Sequence, residues 1–172
     1  MMSGQNRTQK FFVYLPPPKN MFKSPIDNSD LDLAPLKALF NYWQKIRGER
    51  DMPAKADFSP AAVPKLLPYI ALFEVEENPR RYRTRLVGSK ITEIFGLNIT
   101  GAYTDERPEF DEFMKRQSWL VENKTPYLYI DSLEWINKEY LHYKGLGLPF
   151  SDDMENVNFI MYGVFNYSPD TR

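Results

Sequence analysis

LPFSDDMENVNFIMYGVF (148–165) places two apolar runs on either side of an acidic, turn-rich stretch. Asp152, Asp153 and Glu155 stand in that stretch. They form either a metal or substrate site or the turn of a hairpin, and the choice decides whether an enzyme is sought. An EF-hand calcium loop needs a central glycine and a distal glutamate, and neither is present. Aspartates in a turn bond their own backbone and favour reversal of the chain. The stretch therefore reads as a hairpin connection, with Phe159, Met161 and Gly163 continuing its second strand.

Further strands are predicted on both sides of this hairpin. Segments near 139–149 and 126–136 have strand character, and YIALFEVE (69–76) shows partial alternation. ENPRR (77–81) supplies a turn into the strand YRTRLVG (82–88). Between the two groups of strands lie helical patterns. SKITEIFG (89–96) is a short amphipathic helix capped by Ser89 and ended by Gly96. EFDEFMKRQSWLVENK (109–124) is a longer one, with Phe110, Phe113, Met114, Gln117 and Leu120 on its buried face. Two strands, then helices, then three strands predict the α+β class: a five-stranded antiparallel sheet with helices on one face.

Upstream, Leu36, Leu39, Phe40, Trp43 and Ile46 recur at helical spacing, which predicts a flanking helix over 31–48. Ser29 and Asp32 have capping-box spacing, Pro35 is tolerated in a first turn, and Gly48 is a plausible stop. Its stripe packs either on its own chain or on a second copy; in the second reading Leu36, Leu39, Phe40 and Trp43 are the interface. Residues 1–30 are polar and proline-rich and read as a flexible or loosely docked arm, leaving 49–172 as the main domain.

The chain has 172 residues, a formal net charge of -1 and no cysteine. The near-neutral charge gives no electrostatic case for nucleic acid. The missing cysteine excludes disulfides, thiolate zinc sites, iron–sulfur clusters and cysteine nucleophiles. The apolar run FFVYL (11–15) is too short for a signal-peptide core or a membrane span, so no membrane insertion and a cytoplasmic location are expected.

Three polar features compete with this structural reading. His142 is the only histidine, so an acid–base scheme that needs one must use it, although a lone strand histidine is ordinarily a packing or surface residue. Arg81, Arg83 and Arg85 alternate on one face of a strand and suit an anion site or, alternatively, ion pairs with Glu74 and Glu76. GLG (145–147) lacks the lysine and hydroxyl residue of a phosphate loop and marks a bulge or close backbone approach.

WQKIRGERDMPAKADFSP (43–60), LLPYIALFEVE (66–76), RYRTRLVGSKITEIFGLNITGAY (81–103) and LPFSDDMENVNFIMYGVF (148–165) together resemble a family of bacterial PAS-like domains. The resemblance covers most of 36–167, while 117–145 match only in length and strand character. It implies a five-stranded sheet and short helices enclosing a small cavity, and a sensory or regulatory role without turnover. Flavin–thiol and coumaroyl photosensing both need a cysteine, which is absent. Haem-type sensing takes a histidine from the long helix, which has none, and this argues against haem. The cofactor is thus unknown: an unidentified small ligand, or a core filled by its own side chains.

Ile91, Ile94, Phe95, Tyr103, Phe113 and Met114 are the candidates for the cavity lining. No kinase, cyclase or DNA-binding segment follows the last strand, so transmission in trans is expected, through a homodimer or a signalling protein. The alternative is a small-molecule carrier or degenerate enzyme with a polar pocket near His142 and Arg81, Arg83 and Arg85.

Overall fold

The computed structural model describes residues 21–133 and 138–167. Its strands are β1 (Met21–Lys23), β2 (Ile70–Glu76), β3 (Arg81–Val87), β4 (Tyr127–Leu133), β5 (Lys138–Phe150) and β6 (Phe159–Tyr167). They form one antiparallel sheet in the order β1-β4-β5-β6-β2-β3. The helices are α1 (Ala34–Arg47), α2 (Ser89–Phe95) and α3 (Asp111–Asn123). All five predicted strands are present, and the expected count is corrected to six by β1.

β1 lies within the region expected to be a flexible arm. Met21 pairs with Ile130 and Lys23 with Leu128, so the chain is docked as an edge strand from residue 21 onward. Phe22 packs its ring 4.9 Å from those of both Trp119 and Tyr127. FFVYL lies outside the described residues.

α1 begins later than the capping-box spacing predicts. Leu33 is its N-cap without a side-chain hydrogen bond, and Pro35 sits in the first turn. Asp27 instead caps the short turn Asn28–Asp30, accepting from the Ser29 backbone at 2.8 Å. Asp32 pairs with the buried Lys144 of β5. α2 likewise starts from Gly88, with no side-chain cap from Ser89.

Strand alternation separates two faces. On one, Ile70, Leu72, Leu128, Ile130, Leu146, Leu148 and Met161 pack under Leu36, Leu39, Phe40 and Trp43 of α1. These four residues are 0%, 0%, 3% and 4% exposed. The stripe packs on its own chain, which leaves these side chains no area to offer a second copy. The Trp43 indole also donates to the Pro149 carbonyl at 3.0 Å. Gly163 of β6 permits the close approach: a Cβ there would lie 2.4 Å from Leu39 Cδ2.

On the other face, Ala71, Phe73, Tyr127, Tyr129, Tyr143, Ile160 and Tyr162 meet Ile91 and Ile94 of α2 and Leu120 and Val121 of α3. The predicted arrangement of helices on one face plus a flanking helix thus becomes a sheet covered on both sides.

Candidate functional site

The second face does not close. A cavity of about 100 Å³ remains between the sheet and the pair α2 and α3. Residues four apart on α2, Ile91 and Phe95, and three apart on α3, Phe113 and Arg116, project from one side of each helix toward it. Tyr127, Tyr129, Tyr143 and Tyr162 form the sheet side of the wall.

The two glycines of β5 have different roles. At Gly147 a Cβ would come within 2.7 Å of the Tyr127 ring, the close approach that the sequence suggests. At Gly145 an added Cβ would meet only the Tyr143 ring, at 4.0 Å. Gly145 lines the cavity and leaves room in it. Both pair in continuous register with β4 and β6, so no bulge forms there.

Polar groups in the wall are few. The Tyr127 hydroxyl donates to the Tyr162 hydroxyl at 3.2 Å, and that of Tyr129 donates to Asp131 at 3.1 Å. Burial pushes the Tyr127 and Tyr129 phenols up to about 12 and raises Tyr143 and Tyr162 as well. The Arg116 guanidinium opposes this shift at all four. It lies 3.6 Å from the centre of the Tyr129 ring and 5.8 Å from that of Phe113.

Of the six residues expected to line a cavity, Ile91, Phe95 and Phe113 do so. Ile94 and Met114 pack in the same apolar cluster but stand outside the wall. Tyr103 is elsewhere, bridged to Arg83 beside β3. Its hydroxyl donates to Glu76 at 2.8 Å and its ring lies 3.7 Å from the Arg81 guanidinium. Sequence reasoning missed Arg116, Gly145 and the tyrosines. The alternation of Tyr127 and Tyr129 with Leu128 and Ile130 was the available signal, separating an aromatic face from an aliphatic one.

The other polar candidates are not brought together. Arg83 is level with Glu74, Phe159 and then Phe150, toward the far end of β5 from His142. β2 and β6 also lie between β3 and β5. Hence, among the described residues, His142 and the arginine strand lie apart. Arg81 makes a two-pronged pair with Asp105, both bonds 2.8 Å, while Arg85 pairs with Glu74 and Arg83 with Glu76.

Asp153 is the organiser of a turn. Its carboxylate accepts from the backbone of Asn156 at 2.7 Å and Glu155 at 2.9 Å, and from the Ser151 hydroxyl at 3.0 Å. The Asn156 bonds, first among these, hold its pKa well below the usual carboxylate range. Asp152 accepts from the Lys55 backbone at 3.1 Å, tying the hairpin to the segment after α1. Among the described residues no group of three or more histidines and acids is placed to hold a metal ion. Nor is any helix among them long and apolar enough to cross a membrane.

Neither a curated protein nor a solved structure matches the chain. One family model, described as PAS domain, matches residues 31–156, from the segment before α1 into the turn after β5. That span carries the flanking helix, both cavity helices and four of the six strands, β2 to β5. With most of its length matched and a sheet-and-helix cavity in place, this chain belongs to the PAS domain family.

Proposed function

We propose that this PAS domain is a non-enzymatic sensory or regulatory module of the cytoplasm. It acts in trans, by associating with itself or with a signalling protein, and a small ligand in the cavity biases that association. The observation that carries this reading is the cavity of about 100 Å³, kept open by Gly145 on a sheet whose opposite face is closed by α1. A ligand there touches α2, α3 and the sheet at once, so it favours the arrangement of these elements that binds it best. Any association uses a surface other than the four buried side chains of α1.

The chemistry of the wall supports binding over turnover. General acid–base work at neutral pH is best done by a group that titrates near neutrality. Burial pushes the wall tyrosines further from neutrality.

Native mass spectrometry of freshly purified protein tests the reading. A small-molecule adduct is expected on the wild type and not on Gly145→Leu, and the recovered compound keeps its mass on prolonged incubation with the protein. Equal retention by Gly145→Leu, or the appearance of a product mass, would sink it. Light scattering before and after stripping the ligand then reports whether self-association responds.

A further inference from the structure

The cavity wall contains one charge to which the described residues bring no counter-ion. Among the described residues Arg116 is the only charged one of the wall, and it is half-buried. Among the described residues no carboxylate comes within ion-pairing distance of it, whereas Arg50, Arg80, Arg81, Arg85 and Arg107 each have one. The two acids near Tyr129 are engaged elsewhere. Glu112 pairs with Lys115 at 2.7 Å, and Asp131 accepts from the Tyr129 hydroxyl and the Ser132 backbone.

A partly desolvated guanidinium is a strong receiver for a carboxylate, because charge-assisted, two-pronged hydrogen bonds gain in a low-dielectric site. The Tyr129 ring holds one face of this guanidinium by cation–π contact. Apart from the tyrosine hydroxyls the rest of the wall is apolar: Ile91, Phe95 and Phe113 line the same space as Gly145. Size narrows the choice further. A dry cavity of roughly 150 Å³ takes benzene, so about 100 Å³ suits a smaller tail.

We infer that the cavity receives a short-chain monocarboxylate, with its carboxylate on Arg116 and its aliphatic tail in the space that Gly145 leaves open. This rests on the ligand-binding function proposed above and names the ligand class for that same site.

Sodium pentanoate and its uncharged isostere pentanamide are the probes, titrated into the full chain and followed by amide NMR. Pentanoate is expected to perturb the amides around Gly145 and to bind at least about tenfold more tightly than pentanamide. In Arg116→Gln that preference is expected to vanish while pentanamide still binds, and the dispersed spectrum of the variant reports its fold. Gly145→Leu is expected to block both probes.

Equal affinity of the wild type for the two probes would overturn the role of Arg116 and leave the ligand-binding function standing. Unchanged pentanoate binding by Gly145→Leu would overturn the placement of the tail. Binding of neither probe would overturn the ligand class. Only if the native adduct were also missing would the proposed function fail with it.

Discussion

The same strands present two faces, and those faces are finished differently. Along β2, Ile70 and Leu72 lie under α1, while Ala71 and Phe73 look toward α2 and α3. The α1 face is largely aliphatic, and Leu36, Leu39, Phe40 and Trp43 are buried against the sheet there. The opposite face is paved with tyrosines, whose flat rings and hydroxyl partners restrict how they tile. One face therefore holds the fold together, and the other keeps a space. Stability and ligand binding are assigned to opposite sides of one sheet.

The largest test of that division is Phe40→Asp combined with Trp43→Asp. Two unpaired carboxylates in sites only 3% and 4% exposed are expected to remove cooperative unfolding altogether. The loss exceeds about 5 kcal/mol, the lower end of a whole domain's stability. Circular dichroism reads the outcome. A folded double variant of altered mass would instead restore α1 as an interface and break the comparison.

Paired glycine substitutions sharpen it. Gly163→Ala drives a methyl group into Leu39 and is expected to cost about 1–3 kcal/mol in urea unfolding. Gly145→Ala meets open space and is expected to be neutral or stabilising by up to about 1 kcal/mol, since it also restricts the unfolded chain. Equal costs would mean that the two faces are packed alike.

Gln117 is a smaller test on the cavity side. It is fully buried on α3, and neither its amide oxygen nor its nitrogen meets a hydrogen-bond partner. Replacement by the similarly shaped Gln117→Leu is expected to raise stability by about 1 kcal/mol, because an unsatisfied buried amide is removed. A lowered melting temperature would show that the amide is satisfied in solution.

Asp153 lies in the turn outside both faces and serves as the control. Its folded pKa is depressed, so its stabilisation is fully present above the ordinary carboxylate value and is lost as pH falls. The gap in urea midpoint between wild type and Asp153→Ala is expected to be constant from about pH 5 to 8. It is expected to narrow progressively below roughly pH 4, as the unfolded chain takes up the proton, and to close only as pH falls through the depressed folded value. A gap that persists in acid would assign the turn's stability to something other than this charge.

The sequence shows the elements whose side chains repeat. The stripe of α1, the five longer strands and the acidic turn each follow a local period or turn chemistry. β1 does not, because three residues, Met21 to Lys23, carry no period and exist as a strand only through pairing with Ile130 to Leu128. The site was partly legible for a related reason. Ile91, Phe95 and Phe113 declare themselves as apolar helix positions, whereas Arg116 resembles any solvated arginine until Tyr129 is known to lie against it. Tyr103 was misplaced because its ring is held by Arg81 and Glu76, partners set by the return of the chain beside β3. Gly145 could not be told from Gly147 without knowing which ring stands opposite each.

The aromatic contact between the edge strand and α3 has an optical consequence. Two tryptophans fall among the described residues, and the sheet separates them: Trp43 is sealed beneath α1, and Trp119 lies between Phe22 and Tyr127 with ring centres 4.9 and 6.0 Å away. The third, Trp135, lies outside those residues and can be silenced as Trp135→Phe. Intrinsic fluorescence then becomes a two-colour gauge, with one emitter for each side of the sheet. Emission from Trp119 follows events at the tyrosine wall, while Trp43 serves as an internal reference that moves only when the molecule as a whole comes apart.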